Sequence, residues 1–305
     1  MTELDNIVAE VQEESMPLSK EEFAAKKQAE RDAAYALSDQ TALEVTSDGG
    51  TFQQYLDLQG QLRHANPDLR NKLYSETNVL LVLAQKPDAT QLGDYEYWQE
   101  RGCRITSGPG SGIAIIERSK EYKREDDTIG RGYNVKKVFD ISQVDARKLV
   151  QPPDPQYAER QLLKSLIAHA PVTVTLVDDV ISDKGAIYEP QSGTILVQRG
   201  MEFPSTFRSL AEATATYYLT TGPDTQENPE FSAACTAYML CKKYGVDTDS
   251  FWFDDAPEVF ARMDAKEIKG ELSQIRDVAA DISMHMEKTL EPPNRGARTQ
   301  DDRAR

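Results

Sequence analysis

Two histidines four residues apart on one helix, with a glutamate next to the first, can build a zinc hydrolase. Both imidazoles then face one ion, and the carboxylate takes a proton from the metal-bound water. The stretch RSLAEATATYYL, residues 208–219, has a glutamate, Glu212, but Ala211 before it and Ala215 one turn after Ala211 are not imidazoles. A methyl group has no lone pair to give a metal. The chain's three histidines, His64, His169 and His285, form no such pair. Without an activated water Glu212 has nothing acidic to deprotonate, and it reads as a solvent-facing or hydrogen-bonded helix residue. Cys103, Cys235 and Cys241 make no CxxC motif and no disulfide framework, and Cys235 and Cys241 read as buried thiols. The glycine turn SGPGSG at 107–112 leads into a strand with no Lys-Ser/Thr after it, so it is not a P-loop. Neither a metal nor a cofactor is expected, and no catalytic residue is assigned.

The other chemistry within reach is binding of a single nucleic-acid strand. That needs cations for the phosphates and flat rings for the bases, each stacked base contributing about 1–3 kcal/mol. Residues 51–150 supply Lys86, Arg101, Arg104, Arg118, Lys136 and Lys137, with Tyr95 and Trp98 among them. Lys120, Lys123, Arg124, Arg131, Tyr97, Tyr122 and Tyr133 add to the set. Trp98 suits a base-stacking platform and also suits the buried anchor of a short helix. Asn78 and Gln85, seven residues apart on one predicted helix, suit DNA contacts or buried polar ties around Pro87.

The charge distribution says which parts could face a polyanion. The net charge is −16, but residues 1–50 hold 12 acids against 4 bases and residues 151–290 hold 22 against 12. Residues 51–150 are near balance, with 14 acids and 15 bases, and residues 291–305 hold 3 and 4. Only the second block and the tail permit a basic face. No apolar run approaches the ~20 residues of a membrane span, and the acidic start MTELDNIVAEVQEE does not resemble a secretory signal. A cytoplasmic protein with reduced thiols and no membrane partner is expected.

The elements that must position these residues follow from pattern. LSKEEFAAKKQAERDAAYALSD reads as a helix opened by a Ser19–Glu22 capping box, with a thin apolar stripe suited to a weakly packed acidic arm. SDGG at 47–50 reads as a turn or linker. Amphipathic helices follow over FQQYLDLQGQL and LRNKLYSETNVLLVLAQ, then a short helix in DATQLGDYEYWQERG. GIAIIE and YNVKKVFDI read as strands. The proline-rich QPPDPQ at 151–156 marks a boundary. Beyond it lie a helix, the strand VTVTLV, a hairpin in GAIYEPQSGTILVQR, and helices over FPSTFRSLAEATATYYL, PEFSAACTAYMLCKKYG and about 265–290. The expected organisation is an arm and linker (1–50), an α+β domain (51–150), a second α+β domain (151–290) and a disordered tail (291–305).

TNVLLVLAQKPDATQLGDYEYWQERGCRITSGPGSGIAIIE and YNVKKVFDISQV resemble the N-terminal domain of the ArdC-type antirestriction family, which includes the LtrC-like proteins of conjugative elements. Asn78, Gln85, Pro87, Ala89, Thr90, Trp98, Gly102 and the run Phe139, Asp140, Ile141, Ser142, Gln143 carry the likeness. It implies a single-stranded-DNA-binding domain. Residues 172–245 resemble the zincin-like, metallopeptidase-fold half of the same proteins, and the likeness spans about 51–285. It implies three metal ligands, at positions held here by Ala211, Ala215 and Ala234. The implied protein is a non-enzymatic pseudo-peptidase of a mobile element that binds single-stranded DNA and meets a host or element-encoded protein. The alternative is an acidic protein-interaction module that mimics DNA and inhibits a host restriction or defence enzyme. A hydrolase with an unrecognised site is the third reading.

Overall fold

The structure, a computed structural model, describes residues 19–64, 74–108, 110–118, 122, 123, 129, 130, 132–147, 149, 156–180, 184–221 and 229–290; at 63, 64, 122, 123, 129 and 130 it describes the backbone alone. The acidic start, the charged loop between the two strands and the tail expected to be disordered lie wholly or mostly outside these residues.

The predicted capping box opens α1 (Lys20–Val45). Glu22 N–H donates to Ser19 Oγ at 3.2 Å, and Ser19 N–H donates to the Glu22 carboxylate at 2.8 Å. α1 is not the weakly packed arm that its composition suggests. From Ala34 onward it buries Ala34, Ser38, Thr41, Ala42 and Val45, and Lys269 on the last helix pairs with its Asp39. SDGG is not a linker either. Asp48 caps α2 (Gly49–Gln61), and a Cβ on Gly49 would come within 2.7 Å of the Phe253 carbonyl oxygen. Glycine lets the start of this helix lie against another backbone.

β1 (Arg63–His64), α3 (Glu76–Gln85), β2 (Gln91–Asp94), α4 (Tyr95–Glu100), β3 (Arg104–Ile105), β4 (Ile113–Arg118), β5 (Tyr122–Lys123), β6 (Ile129–Gly130) and β7 (Tyr133–Asp140) follow, then a 3-10 turn at Ile141–Gln143 and β8 (Val144–Asp145). QLGD, expected to be helical, is a strand because its side chains and backbone are engaged elsewhere. Gln91 N–H is held by Asp140, and Asp94 caps α4 by accepting from Tyr97 N–H at 2.7 Å. The main sheet has the order β1-β2-β7-β4, with β1–β2 parallel and the other pairs antiparallel. One face turns Ile113, Ile115 and Val138 into the larger core, while the other sends Ile116 and Val135 against Ala34 and Leu37 of α1.

The C-terminal half comprises α5 (Glu159–Ala168), β9 (Thr173–Val177), β10 (Ala186–Glu189), β11 (Thr194–Gln198), α6 (Phe203–Thr221), α7 (Glu230–Tyr244), α8 (Ala256–Phe260) and α9 (Ala265–Leu290). The expected hairpin is present as β10–β11, turning at Gly193 with φ 61°, and β9 pairs parallel to β11. The class is α+β. Two helices serve two cores at once. α7 gives Cys235, Tyr238 and Met239 to the larger core and Ala233, Ala237, Leu240 and Cys241 to the core under β9–β11. α9 gives Ile268, Leu272, Ile275 and Ala279 to the first and Ile282, Met286 and Leu290 to the second. No helix among the described residues is long and apolar enough to cross a membrane.

Candidate functional site

Ala211 and Ala215 lie on the inner face of α6 with no exposed surface, packed in the core under β9–β11. Glu212, between them, points the other way. Its Oε1 accepts from the Lys184 ammonium at 3.0 Å, and the same Nζ lies 3.7 Å from Glu230 at the start of α7. Burial alone would lower the Lys184 pKa, but the hydrogen bond and charge of Glu212, with Glu230 behind it, raise it above the usual value. A tethered cation thus bridges α6 and α7 where two carboxylates approach. Ala234, one turn into α7, brings no donor. His169 and His285 stack on each other at 6.3 Å, with His169 bonded to Thr289. Burial pushes the thiol pKa of Cys235 well up and that of Cys241 to about 12, so both stay protonated and unreactive. No group of three or more His, Cys, Asp or Glu side chains among the described residues could hold a metal ion.

At the main sheet, the motif residues are mostly structural ties. Asn78 Nδ2 donates to Ile116 O at 2.9 Å while its Oδ1 accepts from Ile116 N–H at 2.8 Å. Two turns on, Gln85 does the same with Ala114, at 2.9 and 2.8 Å. The two amides act as a false neighbouring strand along the open edge of β4, satisfying groups that an edge would leave to water or another chain. Asp140 is buried, and its Oδ1 takes the N–H groups of Thr90 at 2.7 Å and Gln91 at 2.9 Å, while Oδ2 takes that of Ser142 at 2.9 Å. Thr90 therefore enters the motif through its backbone. Gln143 returns to Asp140 N–H at 2.9 Å and reaches Ser111 O at 2.8 Å, tying the glycine turn to the end of β7.

Of the eight candidate DNA-binding residues, Trp98 must be withdrawn. It has no exposed surface, and its indole N–H is shared between the carbonyls of Gly93 and Phe139, both at 3.0 Å. A base cannot stack on it. Gly93 is the residue that makes room, since a Cβ there would sit 2.9 Å from the indole. Arg101 and Lys136 are brought together in a cleft of about 470 Å³ on the face of β2, β7 and β4. Both are engaged there. Lys136 Nζ lies 2.8 Å from Asp94 and 3.2 Å from Glu117, and these bonds raise its pKa against the opposing effect of burial. The Arg101 guanidinium lies 3.7 Å from the Tyr97 ring centre and 3.7 Å from Glu100. Asp94, Glu96, Glu100 and Glu117 line the cleft against only those two cations, so a phosphate would be repelled from it. Lys86 pairs with Asp88 at 2.8 Å. Lys137, on the opposite sheet face from Lys136, donates to Gly112 O at 3.0 Å, and Tyr95, Arg104 and Arg118 are exposed. The eight residues do not form one surface.

No protein-family model and no curated protein matches the chain. Solved structures do, among them two of one protein. The crystal structure of antirestriction ArdC protein from plasmid R388, metal-free, aligns with a TM-score of 0.58 at 15% identity over 83% of this chain and 98% of that one. The Mn(II)-bound structure of that protein aligns with a TM-score of 0.54 at 15% identity over 87% and 99%. At this identity the likeness is one of fold, and it runs through nearly the whole of the ArdC chain. The chain has the α+β fold of antirestriction ArdC.

Proposed function

We propose that this is an ArdC-type accessory protein of a mobile genetic element that binds single-stranded DNA through the region 51–150 and performs no catalysis. The observation that carries the reading is the fold likeness to an antirestriction protein over nearly that protein's full length. The pseudo-peptidase half of the proposal rests on donor chemistry. One ArdC structure is Mn(II)-bound, but the positions that the family resemblance assigns to metal ligands hold Ala211, Ala215 and Ala234, three methyl groups. The Lys184 ammonium at Glu212 further opposes a divalent cation. A resident metal does not fit these residues, and no hydrolytic step is derived through one. What the chain has there is a scaffold in which α6 and α7 pack through buried apolar residues and Lys184 bridges Glu212 and Glu230 at their surface.

The test is titration of the purified full chain into labelled single-stranded oligonucleotides at several salt concentrations. Binding that weakens steeply with salt is expected, because each phosphate neutralised on a single strand steepens the fall of log K against log salt by about 0.7. A second reading, the acidic protein-interaction module, is favoured by one surface. Trp252 is 79% exposed, between Phe251 and the buried Phe253, and Asp247, Asp249, Asp254, Asp255 and Glu258, all exposed, lie close to it in the chain. No binding of DNA, together with inhibition of a purified restriction enzyme that is lost in Trp252→Ala, would replace the first reading by the second. Stoichiometric zinc in freshly purified protein would revive the hydrolase.

A further inference from the structure

The sheet face opposite the acidic cleft is basic and aromatic where it meets α1. Tyr133, Val135 and Lys137 alternate onto that face of β7, with Ile116 and Arg118 on β4, and Arg118 stands directly opposite Tyr133 in the register. Val135 and Ile116 pack under Ala34 and Leu37, so α1 lies over both strands. On α1, Phe23, Lys27, Arg31 and Tyr35 recur at every fourth residue, a row of ring, cation, cation and ring about 18 Å long that winds about 40° around the helix at each step. Tyr35, with Arg31 beside it, and Glu30 share a neighbourhood with Tyr133 and Lys137 of β7. The phenol pKa of Tyr35 is raised by burial first and then by Tyr133, while Arg31 opposes the shift; the carboxylate of Glu30, bonded to Lys27, is also stabilised by Lys137 across the gap. Phe23 is 54% exposed, Tyr133 50% and Tyr35 36%, so three rings lie open to solvent among cations.

We propose that this junction of α1, β7 and β4 is where an unpaired polynucleotide strand lies, with Tyr35 and Tyr133 stacking bases and Arg31, Arg118 and Lys137 meeting phosphates. The proposal rests on the strand-binding reading above and adds a site to it. The rings require bases that are not already stacked in a duplex, which selects a single strand. The cations matter more here than in a neutral protein. With a net charge of −16, most of the surface repels phosphate, and a local basic patch sets where and in what orientation a strand can approach. The cleft on the other face, with its excess of carboxylates, cannot serve. DNA and RNA share the chemistry used, and the test separates them.

Binding of oligo-dT and oligo-U of equal length to the full chain, followed by fluorescence anisotropy, tests the site. The double substitution Tyr35→Ala, Tyr133→Ala is expected to weaken binding by about tenfold or more for each ring removed. Tyr35→Phe, Tyr133→Phe keeps both rings and is expected to bind like the wild type, which separates stacking from a general loss of fold. Arg31→Gln, Arg118→Gln is expected to reduce the salt slope by about 1.4, the share of two phosphates. Lys136→Gln, in the acidic cleft, is expected to leave affinity unchanged. If the wild type binds and the ring and arginine variants bind equally well, the site is wrong while strand binding stands. A loss confined to Lys136→Gln likewise overturns the site. If the wild type binds neither oligonucleotide, the functional reading fails with it. Binding of oligo-dT alone, oligo-U alone or both, abolished in the ring variant, supports the site and identifies the strand.

Discussion

Asp140 has no exposed surface, yet its carboxyl titrates below the usual carboxylate range. Burial works to raise it, but the bonds to Ser142 and the N–H groups of Thr90, Ser142 and Gln91 favour the anion and win. An unfolded aspartate takes up its proton near pH 3.9, before the folded one does. The contribution of Asp140 is therefore complete above about pH 4 and is lost as pH falls through the lower, folded value. Asp140→Asn is expected to cost about 2–3 kcal/mol at neutral pH, because an amide turns its own N–H toward groups that are all donors. Urea midpoints for variant and wild type are expected to converge from pH 7 down to about pH 3; an equal gap at both pH values would refute the assignment. The DISQ run could be recognised from sequence. That its aspartate straps β2 to β7 could not, because Thr90 and Gln91 are some fifty residues away in the chain. Lys184 gave no signal at all. Nothing in a lone lysine near a turn announces that it will neutralise Glu212 from another element.

Among the elements, α3 has the least obvious task. Its apolar residues Val79, Leu80, Leu81 and Val82 are buried, as the sequence pattern implies. Its two amides close the edge of β4. The two sites differ in exposure, and that should decide their energies. Ile116 is buried, so Asn78→Ala strands a donor and an acceptor away from water, at a cost of about 2 kcal/mol. Gln85 is exposed and water can replace it, so Gln85→Ala is expected to cost under about 1 kcal/mol. Chemical denaturation of the two variants checks the order; a larger loss for Gln85→Ala would contradict the account. The seven-residue spacing placed both amides on one helical face from sequence alone. Their target stayed hidden, because an edge strand exists only once the sheet order is known. The reverse error occurred at α1, where thin apolar character suggested a free arm. Alanine, serine and threonine suffice to bury a helix when its neighbours come close, and hydropathy underrates such small-residue packing.

For the molecule as a whole, the shared helices α7 and α9 decide how it unfolds. The larger core takes residues from α1, α2, the main sheet, α7, α8 and α9, so it joins what lies before and after the proline-rich stretch at 151–156. Tyr238 on α7 reinforces this, donating to Asp57 at 2.6 Å and accepting from Gln53 at 3.1 Å, both on α2. Arg276 on α9 pairs with Glu76 on α3. Calorimetry is expected to record one cooperative transition, and a fragment of residues 1–150, stripped of its C-terminal packing partners, is expected not to fold alone. Two resolved transitions, or a fragment with native circular dichroism, would show instead that each half is a unit in its own right.

Some properties needed no coordinates. Helices with strong caps, the hairpin around Gly193, the absence of imidazoles beside Glu212 and the uneven charge are properties of neighbouring residues, and local chemistry determines them. The tertiary structure decided what depends on distant parts of the chain meeting. It buried Trp98, set Lys136 between Asp94 of β2 and Glu117 of β4, drew Lys184 to Glu212 and carried Arg31 and Tyr35 from an acidic segment to a basic sheet face. A strand's alternation separates adjacent residues, and packing joins remote ones. A count of charges along the sequence therefore located the basic residues without locating the surface they form.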